Sequence, residues 1–116
     1  MTALARNSRI VGEEDVEKAL DWLRDGAREI GEAKAEMVRA SHMLKVTKAL
    51  VMKMHNDKPI SAQEREAYIS NEYMAALERD ARAAGEYERL RALREAASMR
   101  IESWRTESSN YRSMKL

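Results

Sequence analysis

Cysteine and phenylalanine are absent from this chain, and proline occurs once, at Pro59. The missing cysteines exclude a disulfide framework and thiolate metal sites, and nothing else in the composition points to secretion. No apolar run approaches the ~20 residues needed to span a membrane, and the first eleven residues carry two arginines without the apolar core of a signal peptide. The expectation is a soluble, cytoplasmic protein with no membrane partner. What is abundant is Ala, Glu, Arg, Lys, Leu and Met, the good helix formers, with 35% of the chain charged. An all-α protein follows. With 116 residues it is one domain, small enough to bury only about 65% of its unfolded surface.

Residues 1–12 show no periodicity and read as a flexible N-terminal arm, leaving 13–116 as a single helical oligomerisation and binding domain. Glu13, Glu14 and Asp15 place negative charge where a helix dipole begins. From there Val16, Leu23, Ile30, Met37, Leu44 and Val51 recur every seven residues, and Ala19, Ala33, Ala40, Thr47 and Met54 form a second column. This heptad seam predicts one helix over 13–56, roughly 65 Å long at about 1.5 Å per residue. Gly26 and Gly31 lie inside it and mark a bend or a close approach. Pro59 ends the helix. Ser61-Ala62-Gln63-Glu64 fits a capping box for a short helix, and Ser70-Asn71-Glu72 repeats an N-cap signal. Beyond it Ala76, Ala83, Leu90, Ala97, Trp104 and Tyr111 set another seven-residue row. The expected fold is two long amphipathic helices in an antiparallel hairpin with a short helix between them. Such a hairpin leaves apolar surface wet, so a homo-oligomeric bundle or ring is expected, with Met37, Leu44 and Val51 at its subunit contacts.

The formal net charge of +1 conceals sorted blocks. Residues 13–36 hold nine acids and four bases, 37–58 one acid and five bases, 59–88 seven acids and three bases, and 89–116 three acids and seven bases. The two basic blocks are candidates for tracking phosphates. At the first, Lys45 and Lys48 fall within about 60° on a helical wheel of Lys34 just before the block, with Arg39 pointing elsewhere. The second carries Arg94 and Arg105 among its arginines, interleaved with Tyr87, Trp104 and Tyr111 as possible stacking faces. The competing reading makes these charges a solvated face and the aromatics core residues.

Chemistry fares worse. His42 and His55 are too far apart in helical phase to pair on a metal, and no cysteine or correctly spaced carboxylate completes a ligand set. There is no glycine-rich phosphate loop, nucleophile elbow or Cys-His constellation, so neither an enzyme nor a cofactor is expected.

The stretch "EAKAEMVRASHMLKVTKALVMKM", a polar turn, "SAQEREAYISNEY", and then "YERLRALREAASMRIESWR" resembles the UvsY recombination mediator family of T4-like phages. The resemblance covers residues 32–112 in segment order and residue type, and its basic positions fit best at Lys45 and Lys48. It implies a homo-oligomer that binds single-stranded DNA, displaces the single-strand-binding protein and loads a recombinase in the bacterial host cell. The acidic first block and the extra length before Glu32 depart from the family's pattern. Lys34, Arg39, Lys45, Lys48, Arg94 and Arg105 are then the nucleic-acid contacts. The alternative is a coiled-coil adaptor or assembly protein in which the same charges set helix register without nucleic acid.

Overall fold

The computed structural model describes residues 11–115. These are all-α, 90% helical, in four helices: α1 (Glu13–Asp25), α2 (Ala27–Met54), α3 (Ile60–Tyr68) and α4 (Asn71–Lys115). No strand occurs among the described residues, and no helix among them is long and apolar enough to cross a membrane. Most of the expected N-terminal arm, residues 1–10, lies outside the described residues. Val11 is buried and Gly12 is the N-cap of α1. The Gly12 N–H donates to Asp15 Oδ2 at 3.1 Å, so the acidic first turn also caps the helix.

The first long helix is not continuous. It breaks at Gly26, whose N–H donates to the Trp22 carbonyl at 2.7 Å. A Cβ here would stand 2.7 Å from that carbonyl oxygen and 3.5 Å from the indole of Trp22. Gly26 therefore answers to a close approach of backbone to backbone, which a side chain would block. Gly31 and Gly85 have nothing within 4 Å of the corresponding point and sit inside intact helices.

The expected capping box at Ser61 does not form. Pro59 is the N-cap, with φ −57° and ψ 153°, so α3 starts at Ile60 and Ser61 falls inside its first turn. Proline suits a helix start because its fixed φ fits and no N–H is lost there. Gln63 takes over the end, its backbone N–H donating to the Pro59 carbonyl at 3.0 Å and its side-chain amide to the Lys58 carbonyl at 2.8 Å. Ser70 does cap α4: its Oγ accepts from the Tyr73 N–H at 3.1 Å and donates to the Ala67 carbonyl at 2.6 Å.

The chain divides into two compact units, one combining the part up to Glu29 with the part from Arg91, the other formed by Ile30–Leu90. In the second unit Ile30, Ala40, Val51, Ala67, Ala83 and Leu90 are buried; in the first, Val11, Val16, Ala19 and Ala97 are. These are residues of the predicted heptad columns, apart from Val11 on the arm and Ala67 on α3. Half of them are alanine. Alanine removes little area from water, so this core contributes less per residue than one of leucine and isoleucine. Meanwhile Val38, Leu50, Met54, Ile60, Ile69 and Met74 stand exposed.

Sorted charge becomes local complementarity. In the Ile30–Leu90 unit, residues 30–58 carry six bases against three acids and residues 59–90 seven acids against four bases. In the other unit, 13–29 carry seven acids against three bases, and 91–115 six bases against three acids. Each unit thus combines a basic stretch with an acidic one.

Candidate nucleic-acid interface

The lysine stripe of α2 is largely committed within the fold. Lys48 is half-buried and donates from Nζ to the Tyr68 hydroxyl at 2.9 Å, with Glu64 Oε1 at 4.0 Å. Its ammonium is 4.7 Å from the Tyr68 ring centroid, much farther than from the hydroxyl, so it meets the oxygen end of the ring and not its face. That hydrogen bond raises the Lys48 pKa above the ordinary lysine value, with Tyr68 and Glu64 adding smaller electrostatic pulls. Tyr68 is itself steadied by an edge-to-face contact with Tyr73, ring centroids 5.3 Å apart. Lys34 places its Nζ 4.9 Å from the centroid of Tyr87, a cation–π contact. Tyr87, expected as a stacking face for bases, is here a seat for a lysine. Lys45 is exposed, with no ion pair among the described residues, in a groove with Met37, Val38, Ser41, Asp80 and Ala84. Arg39 is exposed and approaches Glu36 at 3.5 Å.

Glu36 has a second, stronger partner. Arg79 Nε donates to its Oε1 at 2.9 Å, joining α2 to α4. The Arg79 hydrogen bond is the main reason the Glu36 carboxyl is held below its ordinary range. No local motif announces this tie, because its partners are 43 residues apart.

On α4 the arginines are arranged differently. Arg94, Arg105 and Arg112 are separated by eleven and seven residues, close to three and two helical turns, so they form one row. All three are exposed. Arg105 pairs with Glu102 at 2.8 Å within its own helix, whereas Arg94 and Arg112 have no acid partner among the described residues. Arg91, one turn before Arg94, meets Glu95 at 3.7 Å. Such i,i+3 and i,i+4 pairs between exposed groups are weak and readily exchanged for a phosphate. The row therefore presents guanidinium groups over about 27 Å of helix at about 1.5 Å per residue.

The candidate assembly residues divide. Val51 is buried inside the chain, and Met37 and Leu44 are half-buried on the same seam. Several large exposed apolar side chains lie off this seam, among them Val38 and Leu50 on α2 and Met74 and Leu77 on α4.

No group of three or more histidine, aspartate or glutamate side chains that could hold a metal ion is present among the described residues. No protein-family model matches the chain, nor does any curated protein or solved structure.

Proposed function

We propose that this chain is a homo-oligomeric helical module that binds single-stranded DNA along the arginine row of α4. The role is that implied by the likeness to UvsY-type mediators: assisting recombinase loading against the single-strand-binding protein. The observation that carries the reading is the row itself, exposed arginines in helical register of which Arg94 and Arg112 have no acid partner among the described residues. Guanidinium groups bind phosphate bidentately, and each neutralised phosphate releases counterions. One row offers few contacts, but several copies on one strand make later contacts intramolecular and raise avidity by about 10²–10⁴.

An antiparallel hairpin is the assembly unit in this reading. What supports it is that Lys34 meets Tyr87 and Glu36 meets Arg79, both on α4, while Lys48 meets Tyr68 on α3. Fluorescence anisotropy with an oligonucleotide of about 30 bases tests the proposal. Binding that weakens steeply with salt is expected, with log K against log salt falling by about 0.7 per phosphate contact. Absence of binding at low salt removes it.

Two observations favour a second reading, an adaptor without nucleic acid: Lys34 and Lys48 already have partners within the chain, and basic and acidic stretches are combined within each unit. The same titration separates the two.

A further inference from the structure

We infer that the groove between α2 and α4 in the Ile30–Leu90 unit is a self-complementary docking face for a second copy of this chain. The inference rests on the homo-oligomer reading above and assigns it a surface. The groove encloses about 510 Å³ and is lined by Met37, Val38, Ser41 and Lys45 from α2 and by Asp80 and Ala84 from α4. On α4, Ala84 belongs to the row Met74, Leu77, Ala81 and Ala84, spaced three, four and three. That is the spacing of a heptad seam, and it is separate from the core row of Ala76, Ala83 and Leu90. Met74, Leu77 and Val38 are exposed at 49%, 38% and 55%. Small residues at Ala81 and Ala84 let a second helix come close, and the larger ones at either side supply area to bury.

Charge selects the occupant. The α2 wall is basic, with Lys45 and neighbouring His42; the α4 wall carries Asp80, and no ion pair joins Lys45 to Asp80 across the groove. A second copy turned over by a two-fold axis lays its α4 on this α2 and its α2 on this α4, so each basic wall meets an acidic one, twice. Setting α2 on α2 would oppose lysine to lysine. Two other exposed faces lack this property. The groove lined by Glu36, Arg79, Arg82 and Glu86 has its acids already tied, Glu36 to Arg79 and Glu86 to Arg89. The exposed row Met43, Leu50 and Met54 is flanked on its own helix by Arg39 and Lys53, so two copies of it would repel.

Light scattering and sedimentation on the full chain, with circular dichroism to confirm helicity, test the assignment. Lys45→Glu makes both walls acidic and Asp80→Lys makes both basic; each is expected to weaken self-association by about tenfold or more. The double variant exchanges the walls and is expected to restore it. Ala84→Trp, which fills the groove without altering charge, is expected to weaken association as well. If the unaltered chain associates and all of these variants associate as tightly, the face is wrong while the homo-oligomer reading stands. A helical double variant that stays as weak as either single one also overturns the assignment. A monomer at tens of micromolar for the unaltered chain removes the homo-oligomer reading and this inference with it.

Discussion

The two units of the chain use charge in different ways. In the Ile30–Leu90 unit, beside the within-helix pairs of Arg39 with Glu36 and Arg89 with Glu86, several polar contacts run from helix to helix: Glu36 to Arg79, Lys48 to Tyr68 and Glu64, and Lys34 to Tyr87. In the other unit, the ion pairs of Lys18, Arg24, Arg91 and Arg105 each stay within one helix. A cation anchored across the fold must break a contact and uncover its partner before it can meet a phosphate. One that leans on a neighbour in its own helix, or on none, gives up little. Two blocks of like charge in the sequence thus differ in availability, and the difference favours the arginine row of α4 over the lysine stripe of α2.

The largest expected effect lies on that row. Replacing Arg94, Arg105 and Arg112 together by alanine removes three candidate phosphate contacts, and the slope of log K against log salt should shrink by about two. At 0.1 M salt, taking equal affinity near 1 M, that amounts to about a hundredfold loss for single-stranded DNA. Alanine is at least as good a helix former, so helicity should hold by circular dichroism. A matching loss from Lys34→Ala with Lys48→Ala, but none from the arginine triple, would reverse the comparison.

Next in size is a contrast between glycines. Gly26→Ala in the first unit must place its Cβ 2.7 Å from the Trp22 carbonyl, a contact neither backbone segment can relieve cheaply. A loss of about 1–3 kcal/mol is expected, the usual scale of overpacking. Gly31→Ala, in an open position of α2, should instead gain about 1 kcal/mol from helix propensity. Thermal unfolding of the two variants side by side checks both signs.

These two glycines also mark what was legible beforehand. Periodicity identified the core because burial repeats with the helix: Val16, Ile30, Val51, Ala83, Leu90 and Ala97 are all buried. It gave Gly26 and Gly31 the same standing, since only the path of the backbone around Trp22 separates them. The Ser61 box failed for a related reason, an S-x-x-E signal losing to a proline two residues upstream. The basic stripe was correctly phased on the helical wheel, yet phase says nothing of what stands opposite. The partners of Lys34 and Lys48 come from α4 and α3, 53 and 20 residues away, and Lys48's tie to Tyr68 and Arg79's to Glu36 depend on tertiary register alone.

Tyr68→Phe probes the anchored lysine more gently. It keeps the ring and its edge-to-face contact with Tyr73 while removing the oxygen that Lys48 uses. A small fall in melting temperature is expected. Single-stranded DNA affinity should be unchanged or slightly higher, because the freed ammonium becomes available. A clear loss of affinity would place Tyr68 among the DNA contacts.

The smallest effect is a pH dependence that sharpens the same contrast from the acid side. Glu36 faces Arg79 at 2.9 Å and Arg39 at 3.5 Å, and its pKa is lowered chiefly by the Arg79 hydrogen bond. A carboxyl whose pKa is depressed on folding stabilises the folded state above its unfolded value, and that contribution is lost as pH falls through the folded value. Glu36→Gln should therefore lower the melting temperature slightly at neutral pH, with the gap to the parent closing as pH falls below about 4. Both side chains are 40% or more exposed, so solvent screening keeps the gap small and added salt should narrow it further. Lys48 has the opposite sign: its raised pKa stabilises below the ordinary lysine value and the contribution fades above it. The parent chain should then lose stability at both extremes, and Glu36→Gln should blunt the acid limb only. An unchanged acid limb in that variant would mean that Arg79 gains nothing from Glu36, leaving α2 and α4 joined at this level by apolar packing alone.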